Sequence, residues 1–469
     1  MALVVNSRGI PVFKYLFQQE SSSVLHQWRS CSNSESRSRS CNRLRRTGTL
    51  YVHWPYCAQL CTYCNFNKYK NTHSMDKEHM FSCLVKEFQS VLSRSSVTDF
   101  TSIYFGGGTP SLAGPGLVEA VLRAVSEHSQ LESGAEVCLE ANPSSAKLAQ
   151  LRDFKLAGVT RLSLGIQSLD DTDLKLMNRD HSSEEGTRWT FMIKLMISLT
   201  CLIFHYDSRF FYRALKDAIS IFPGSVNTDV IFGRPGQSLQ KWKEELSDVN
   251  GMVDNHVSLY QLTVEKGTPL AKSVLSGEQS MPNEDTVADM YEHAVQSLEE
   301  AGLRRYEVSN FAKEGFESRH NMSYWTGCDY IGIGPGAHSR YFEKASDSYS
   351  HYIHTVNALE PKSWAARVLD VGDGVLLRKH LTNNRRLEEV IATCLRTTEG
   401  LSNEIWSQFS AEPLQLKIKN MNDDKLTTLL QAKFLNLDSS GLRTTSTGLI
   451  VLDTLLPDIV SALGNKRTT

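Results

Sequence analysis

The sequence predicts an α/β fold: a partial (β/α) barrel followed by a small, winged-helix-like C-terminal α+β unit. Three observations predict it. Short β-rich runs alternate with helical stretches from about Leu50 onward. Glycine- and cysteine-bearing motifs fall where those runs end. Residues 373–469 instead read as helices followed by a hairpin. Strands alternating with helices of this length make βαβ units and a parallel sheet, and in barrels of that kind chemistry sits at the C-terminal ends of the strands.

In order, LYVHWPY is the first strand and Asp76 to Leu92 the first helix, followed by the strand TSIYFGG. Gly116 to His128 is helical, AEVCLEAN a strand and Ala146 to Ala157 helical. RLSLGIQS, SVNTDVIFG and HVSLYQLTV continue the strands, and a helix from Asp285 to Ala301 precedes RRYEVSNFA, read as one more strand. The alternation fades between Glu343 and Gly372, so the core is set at 47–342 and 343–372 is read as a linker. Beyond it, Leu387 to Leu395, Ser402 to Phe409 and Lys425 to Lys433 are expected as helices, with two strands around Ser439–Gly441 and a final helix.

Two segments break the pattern. Residues 1–46 are rich in Arg and Ser, with Glu20 and Glu35 as their only acids, which matches a mitochondrial transit peptide. Residues 186–210 carry an apolar run from Phe191 to Phe204 that contains Lys194. The run is short for a membrane span of about 20 residues, so no firm span is expected. A surface insertion, a membrane-touching hairpin and a gene-model artefact compete, and the last is preferred. The formal net charge of −2, without a basic track beyond the leader, gives no sign of nucleic-acid binding. Ten scattered cysteines in 469 residues argue against a disulfide scaffold.

The chemistry is concentrated in HWPYCAQLCTYCNF, where Cys57, Cys61 and Cys64 follow a strand with C-x3-C-x2-C spacing. Thiolates are the ligands of iron–sulfur clusters, and three of them leave one iron of a cubane open to a chelating ligand. A closed zinc site needs a fourth ligand, for which His53 stands available. GGGTPS (Gly106 to Ser111) follows the next strand, and its glycines let backbone approach a ligand closely. Glu140, Gln167 and Asp229 stand at or near later strand ends, with Arg179 shortly after one of them.

These motifs, in this order, resemble the coproporphyrinogen dehydrogenase-like branch of radical S-adenosylmethionine (SAM) proteins from Leu50 to the C-terminus, apart from 186–210. The resemblance implies a radical SAM barrel in which Cys57, Cys61 and Cys64 hold a [4Fe–4S] cluster. It implies that Tyr51, Tyr63, Gly107, Gly108, Thr109, Glu140, Gln167, Arg179 and Asp229 line the SAM region. The branch contains oxygen-independent coproporphyrinogen III dehydrogenases and haem chaperones. Phe66 stands where the dehydrogenases carry another cysteine, and the leader runs almost directly into the cluster loop. His320-Asn321-Met322-Ser323-Tyr324-Trp325 looks like the haem-associated motif of the chaperones. The resemblance therefore implies haem as a ligand, with His320 as a candidate axial imidazole and His338 as its competitor. It also implies haem-accepting protein partners and leaves room for an electron donor to the cluster.

Overall fold

The computed structural model describes residues 46–71, 76–179, 209–344, 351–421 and 424–464. The expected leader, except for Arg46, and the atypical segment, except for its last two residues, lie outside the described residues.

A twelve-stranded sheet forms the body. Its strands are β1 (Thr47–Trp54), β2 (Asp99–Gly107), β3 (Gln130–Ala141), β4 (Arg161–Gln167), β5 (Val226–Phe232), β6 (His256–Gln261), β7 (Arg304–Arg305), β8 (Asn310–Ala312), β9 (Asp329–Ile333), β10 (His338–Glu343), β11 (His351–Asn357) and β12 (Val375–His380). Their order is β12-β11-β10-β9-β1-β2-β3-β4-β5-β6-β8-β7. From β9 through β1 to β6 every pairing is parallel, and the strands added at either end are antiparallel. This is the expected α/β architecture with a large, mostly parallel sheet.

Alternation along the strands separates two faces. Leu50, Val52 and Trp54 on β1, Ile103 and Phe105 on β2, and Leu162, Leu164 and Ile166 on β4 are buried in one apolar cluster. They pack under α1 (Lys77–Arg94), α2 (Pro115–His128) and α3 (Leu148–Leu156), which contribute Leu84, Phe88, Leu117, Val121 and Phe154. The opposite face is polar. Its rows run Tyr51–Tyr104–Cys138–Arg161 and Glu140–Ser163–Asn227–His256, with Asp229 beside Ser258. A sheet with one greasy and one polar, titratable face is the scaffold of an internal site.

Helix starts follow local chemistry. Asp76 caps α1 through His79 N, and Asp170 caps α4 (Asp171–Leu176) through Thr172 N and Asp173 N. After α5 (Arg209–Ile221) and α6 (Leu239–Met252), Thr268 caps α7 (Pro269–Leu275) and Asn283 caps α8 (Glu284–Glu300). The short helix α9 (Arg319–Trp325) carries the His-Asn motif.

Two expectations change. RRYEVSNFA is a pair of short antiparallel strands rather than one, because Glu307 accepts from Ser309 N and turns the chain between them. The stretch read as a linker contains β11 and then α10 (Pro361–Val371), capped by Glu360 and ended by Gly372 at φ 89°. Ile353, Trp364 and Val368 enter the main core, and β12 joins the same sheet, so the body extends to His380. The C-terminal unit begins with α11 (Asn383–Cys394). Four short helices and the expected final helix, Leu452–Leu463, follow around a three-stranded sheet of Leu401–Ser402, Gly441–Thr444 and Leu435–Leu437. Its core gathers Leu387, Ile391, Trp406, Leu442 and Ile459. Arg386 on α11 lies over the rings of Phe342, Tyr352 and Phe409, tying the unit to the body. Among the described residues no helix is long and apolar enough to cross a membrane.

One buried carboxylate fastens these parts. Glu87 on α1 accepts from Gly334 N (2.7 Å), Gly374 N (2.7 Å), Trp364 Nε1 (2.9 Å) and Asn357 Nδ2 (3.0 Å). Glu87→Ala leaves these donors without their acceptor in a dry core, so a loss of at least about 3 kcal/mol in unfolding free energy is expected by denaturant titration. A variant as stable as the wild type would refute this role for Glu87.

Candidate functional site

The thiols lie on the loop that leaves β1. Tyr56–Cys57 pairs with Tyr69–Lys70, closing the loop at its neck. Cys57 is buried, and Cys61 and Cys64 are partly exposed. Burial pushes the Cys57 thiol up to about 11, with a hydrogen bond from Thr109 acting in the opposite sense, and burial also raises Cys64. Such thiols stay protonated until a cation draws off the proton, the behaviour expected of cluster ligands in a dry loop. Lys68 donates to the Cys64 carbonyl, and Arg179 Nη1 lies 3.3 Å from Cys61 Sγ.

His53 does not complete a closed zinc site. Its Nδ1 meets Tyr51 Oη at 3.1 Å and its Nε2 meets the Asn67 carbonyl at 2.8 Å, so both ring nitrogens are engaged. Burial lowers its pKa to about 4, which keeps the ring neutral. Among the described residues no three His, Cys, Asp or Glu side chains converge to clasp a single ion. Three thiols spread along one loop suit a cluster, in which each thiolate holds its own iron.

The glycine turn is fitted under this loop. Gly108 N donates to Trp54 O (2.6 Å) and Thr109 N to Tyr56 O (2.9 Å). Gly107 has φ 109°, and a Cβ there would fall 2.6 Å from the His53 ring. A Cβ on Gly108 would fall 2.8 Å from the Tyr56 carbonyl oxygen. Both contacts demand glycine.

The structure brings the expected SAM-region residues to the same end of the polar face. Tyr51 stacks on Tyr104, whose hydroxyl donates to Glu140 Oε1 (2.8 Å), while Gly107 N donates to Glu140 Oε2 (3.2 Å). Asp229 accepts from Ser163 Oγ (2.9 Å) and Asn227 Nδ2 (2.7 Å). Arg179 Nη2 donates to Asn142 Oδ1 (2.9 Å) and to the Gly165 carbonyl (2.7 Å). Gln167 has φ 69°, a strained backbone for a non-glycine residue, and its buried Oε1 has no hydrogen-bond partner among the described residues. A buried acceptor held ready in this way fits a site awaiting a polar ligand. Tyr63 is packed beside Ile231, Leu262 and Leu270.

Sequence reasoning missed the residues that hold these groups in place. Arg234 donates to Asp173 (2.8 Å), Glu245 and the carbonyls of Gln167 (3.4 Å) and Ile231 (2.5 Å), so it binds two strand-end loops together. Glu245 also accepts from Ser168 Oγ (2.9 Å) and Leu169 N (2.7 Å). The turn after α4 meets the cluster loop through Thr62 N to Met177 O (3.1 Å) and Asn178 Nδ2 to Leu60 O (2.9 Å). Asn67 donates to the Pro335 and Leu359 carbonyls, each at 2.9 Å. The run GRPGQ was the one sequence hint of Arg234.

His320 is not brought to the thiols. It is 1% exposed, its Nδ1 meets Ser102 Oγ (2.8 Å), its Nε2 meets Tyr324 Oη (3.0 Å), and its ring stacks on Tyr104 at 4.9 Å. Burial lowers its pKa to about 3. Glu136 holds the start of its helix by accepting from Ser318 Oγ (3.1 Å) and His320 N (3.1 Å). For this imidazole to bind iron, one of its two ring hydrogen bonds must first be released, that of Nδ1 to Ser102 or that of Nε2 to Tyr324.

The model of the radical SAM superfamily matches residues 51–249. The chain is 41% identical over 427 residues to "Radical S-adenosyl methionine domain-containing protein 1, mitochondrial" of Danio rerio, covering 90% of each chain. It is 32% identical over 292 residues to "Heme chaperone HemW" of Escherichia coli, covering 62% of this chain and 70% of that one. Among solved structures, coproporphyrinogen III oxidase (HemN) from Escherichia coli matches with a TM-score of 0.68 and 19% identity, covering 90% of this chain and 91% of that one. That likeness shows the fold alone.

Burial raises the Glu140 pKa to about 7 and that of Asp229 to about 6. The ligand-free native state therefore binds protons more tightly at these groups than the unfolded chain does. Their contribution to stability is present at low pH and lost as pH rises through about 6 to 7. Asp229→Asn removes that loss, so its melting temperature relative to wild type should climb by about 1–2 °C between about pH 5.5 and 8. A difference that does not change with pH would contradict the assignment.

Proposed function

Because this chain belongs to the radical SAM superfamily, and within it to the family of radical SAM domain-containing protein 1, we propose that it binds haem and transfers it to acceptor proteins, using a [4Fe–4S] cluster with exchangeable SAM. Membership implies the cluster and SAM; haem binding and transfer are the proposal. The observation that carries the cofactor part is the loop of Cys57, Cys61 and Cys64, with His53 committed elsewhere. Haem is supported by relatives named haem chaperones and by Phe66 at the position where the dehydrogenases carry a further cysteine.

In this reading the three thiolates hold the cluster, and Gly107, Gly108 and Thr109 bring backbone close to the SAM amino group. Glu140 and Asp229, with Tyr51 and Tyr63 as walls, face the nucleoside. Gln167 offers its unpartnered acceptor, and Arg179 lies between the thiol of Cys61 and the strand ends. When bound, the cluster supplies an open iron and an electron to a sulfonium ligand. The chain's own part is to orient that ligand, exclude water and fix the charges around it. Relatives at 39–41% identity are named mitochondrial, and with the Arg- and Ser-rich leader this assigns the protein to mitochondria. Haem acceptors and an electron donor to the cluster are the partners this scheme requires.

The test uses anaerobically reconstituted protein with SAM and a reductant. Haem should bind and pass to an apo-haem acceptor, and coproporphyrinogen III should be returned unchanged. Decarboxylation of coproporphyrinogen III would overturn the chaperone reading in favour of the dehydrogenase one.

A further inference from the structure

The haem reading leaves open where haem sits, and His320 is sealed in the interior. A pair of histidines lies nearer the surface. His338 opens β10 and His354 lies on β11, with Nδ1 of His338 3.5 Å from Nε2 of His354 and ring centroids 5.6 Å apart. The register aligns His338 with Val356 and Leu377, and Arg340 with His354 and Lys379, so these six residues share one face of β10, β11 and β12. The other face of the same strands turns Tyr341 and Ile353 into the core.

The composition of this face is specific. Both imidazoles are partly exposed, and burial with the nearby Arg340 charge lowers their pKa values to about 4 for His338 and about 3 for His354. Neutral imidazole is the form that ligates iron. Leu377 is 38% exposed and Val356 is partly exposed beside it, giving apolar surface next to the imidazoles. Lys379 is exposed, and Arg340 is held by Glu389 at 3.0 Å. Imidazole, apolar surface and donors on Arg340 and Lys379 together match a metalloporphyrin carrying two carboxylates better than they match a bare cation, which the exposed Lys379 would repel.

The face also adjoins the cluster loop. The turn of Gly334 to Ala337 leads directly into His338. A Cβ on Gly334 would lie 2.4 Å from the His53 carbonyl oxygen, and one on Gly336 would lie 2.7 Å from the Asn67 side chain. We propose that this face seats haem, with the His338–His354 pair supplying the axial imidazole, Val356 and Leu377 against the ring, and Arg340 and Lys379 toward the propionates. The inference rests on the haem-binding reading above and names its site.

Haem titration of the full chain, followed by Soret absorption, tests it. The His338→Ala/His354→Ala double variant should lose the histidine-ligated spectrum and bind at least about tenfold more weakly, while His320→Ala keeps that spectrum. Lys379→Glu, an exposed change that leaves both imidazoles in place, should keep the spectrum and weaken binding about threefold or more. A double variant with wild-type spectrum and affinity, or a His320→Ala protein that alone loses ligation while melting like wild type, overturns the site but not the haem reading. A wild type that binds no haem overturns the reading itself and the inference with it.

Discussion

The chemistry at the open end of this sheet depends on how the loop from Cys57 to Asn67 is held before any cluster is present. A loop of this length has few backbone partners of its own, and an untethered one would lose its geometry to conformational entropy. Here it is gripped from several sides. Trp54 and Tyr56 take the backbone of the glycine turn, Leu60 and Thr62 meet the turn after α4, and Asn67 reaches the carbonyls of Pro335 and Leu359. The grips come from widely separated parts of the sequence, so the loop takes this geometry from the folded body around it. This couples folding of the body to readiness of the thiols.

The same constraint explains the second layer of polar residues. Arg234 is buried against Asp173 and Glu245, an arrangement that is costly to desolvate and that persists only when well satisfied by hydrogen bonds. Its additional bonds to the carbonyls of Gln167 and Ile231 show what it does structurally: it holds one strand-end loop against the next. Gln167 can then remain in a left-handed backbone with its acceptor unpartnered among the described residues. Below this layer, Tyr104 connects Glu140 to the stacked ring of His320, so the His-Asn motif acts in this structure as a post beneath the site.

Much of this was legible in the sequence. The parallel strands and their order of appearance follow from alternation, because each has one face in the helical layer and one in the polar interior. The thiol loop, the glycine turn and the strand-end acids were found because their residue types are chemically specific at short spacing. Other features were hidden for physical reasons. β12 shows little burial along Val375–His380, so an edge strand with exposed leucines carried no period-two signal of its own. The turn inside RRYEVSNFA was masked because Tyr306 and Val308 are buried on either side of Glu307 and mimic a continuous strand. The burial of His320 rests on Ser102 and Tyr104, more than two hundred residues earlier, and no local pattern reports such a contact. Arg234 was missed for the same reason, since its meaning lies in Asp173 and Glu245.

The central claim is that three thiolates hold a cluster with one iron left open to SAM. Electron paramagnetic resonance of the anaerobically reconstituted, reduced protein, recorded with and without SAM and alongside iron and sulfide analysis, tests it most directly. The account predicts a reduced [4Fe–4S] signal that changes shape when SAM is added, and its disappearance in Cys57→Ser, Cys61→Ser and Cys64→Ser. A protein that retains zinc in place of iron, or a cluster signal indifferent to SAM, would contradict it.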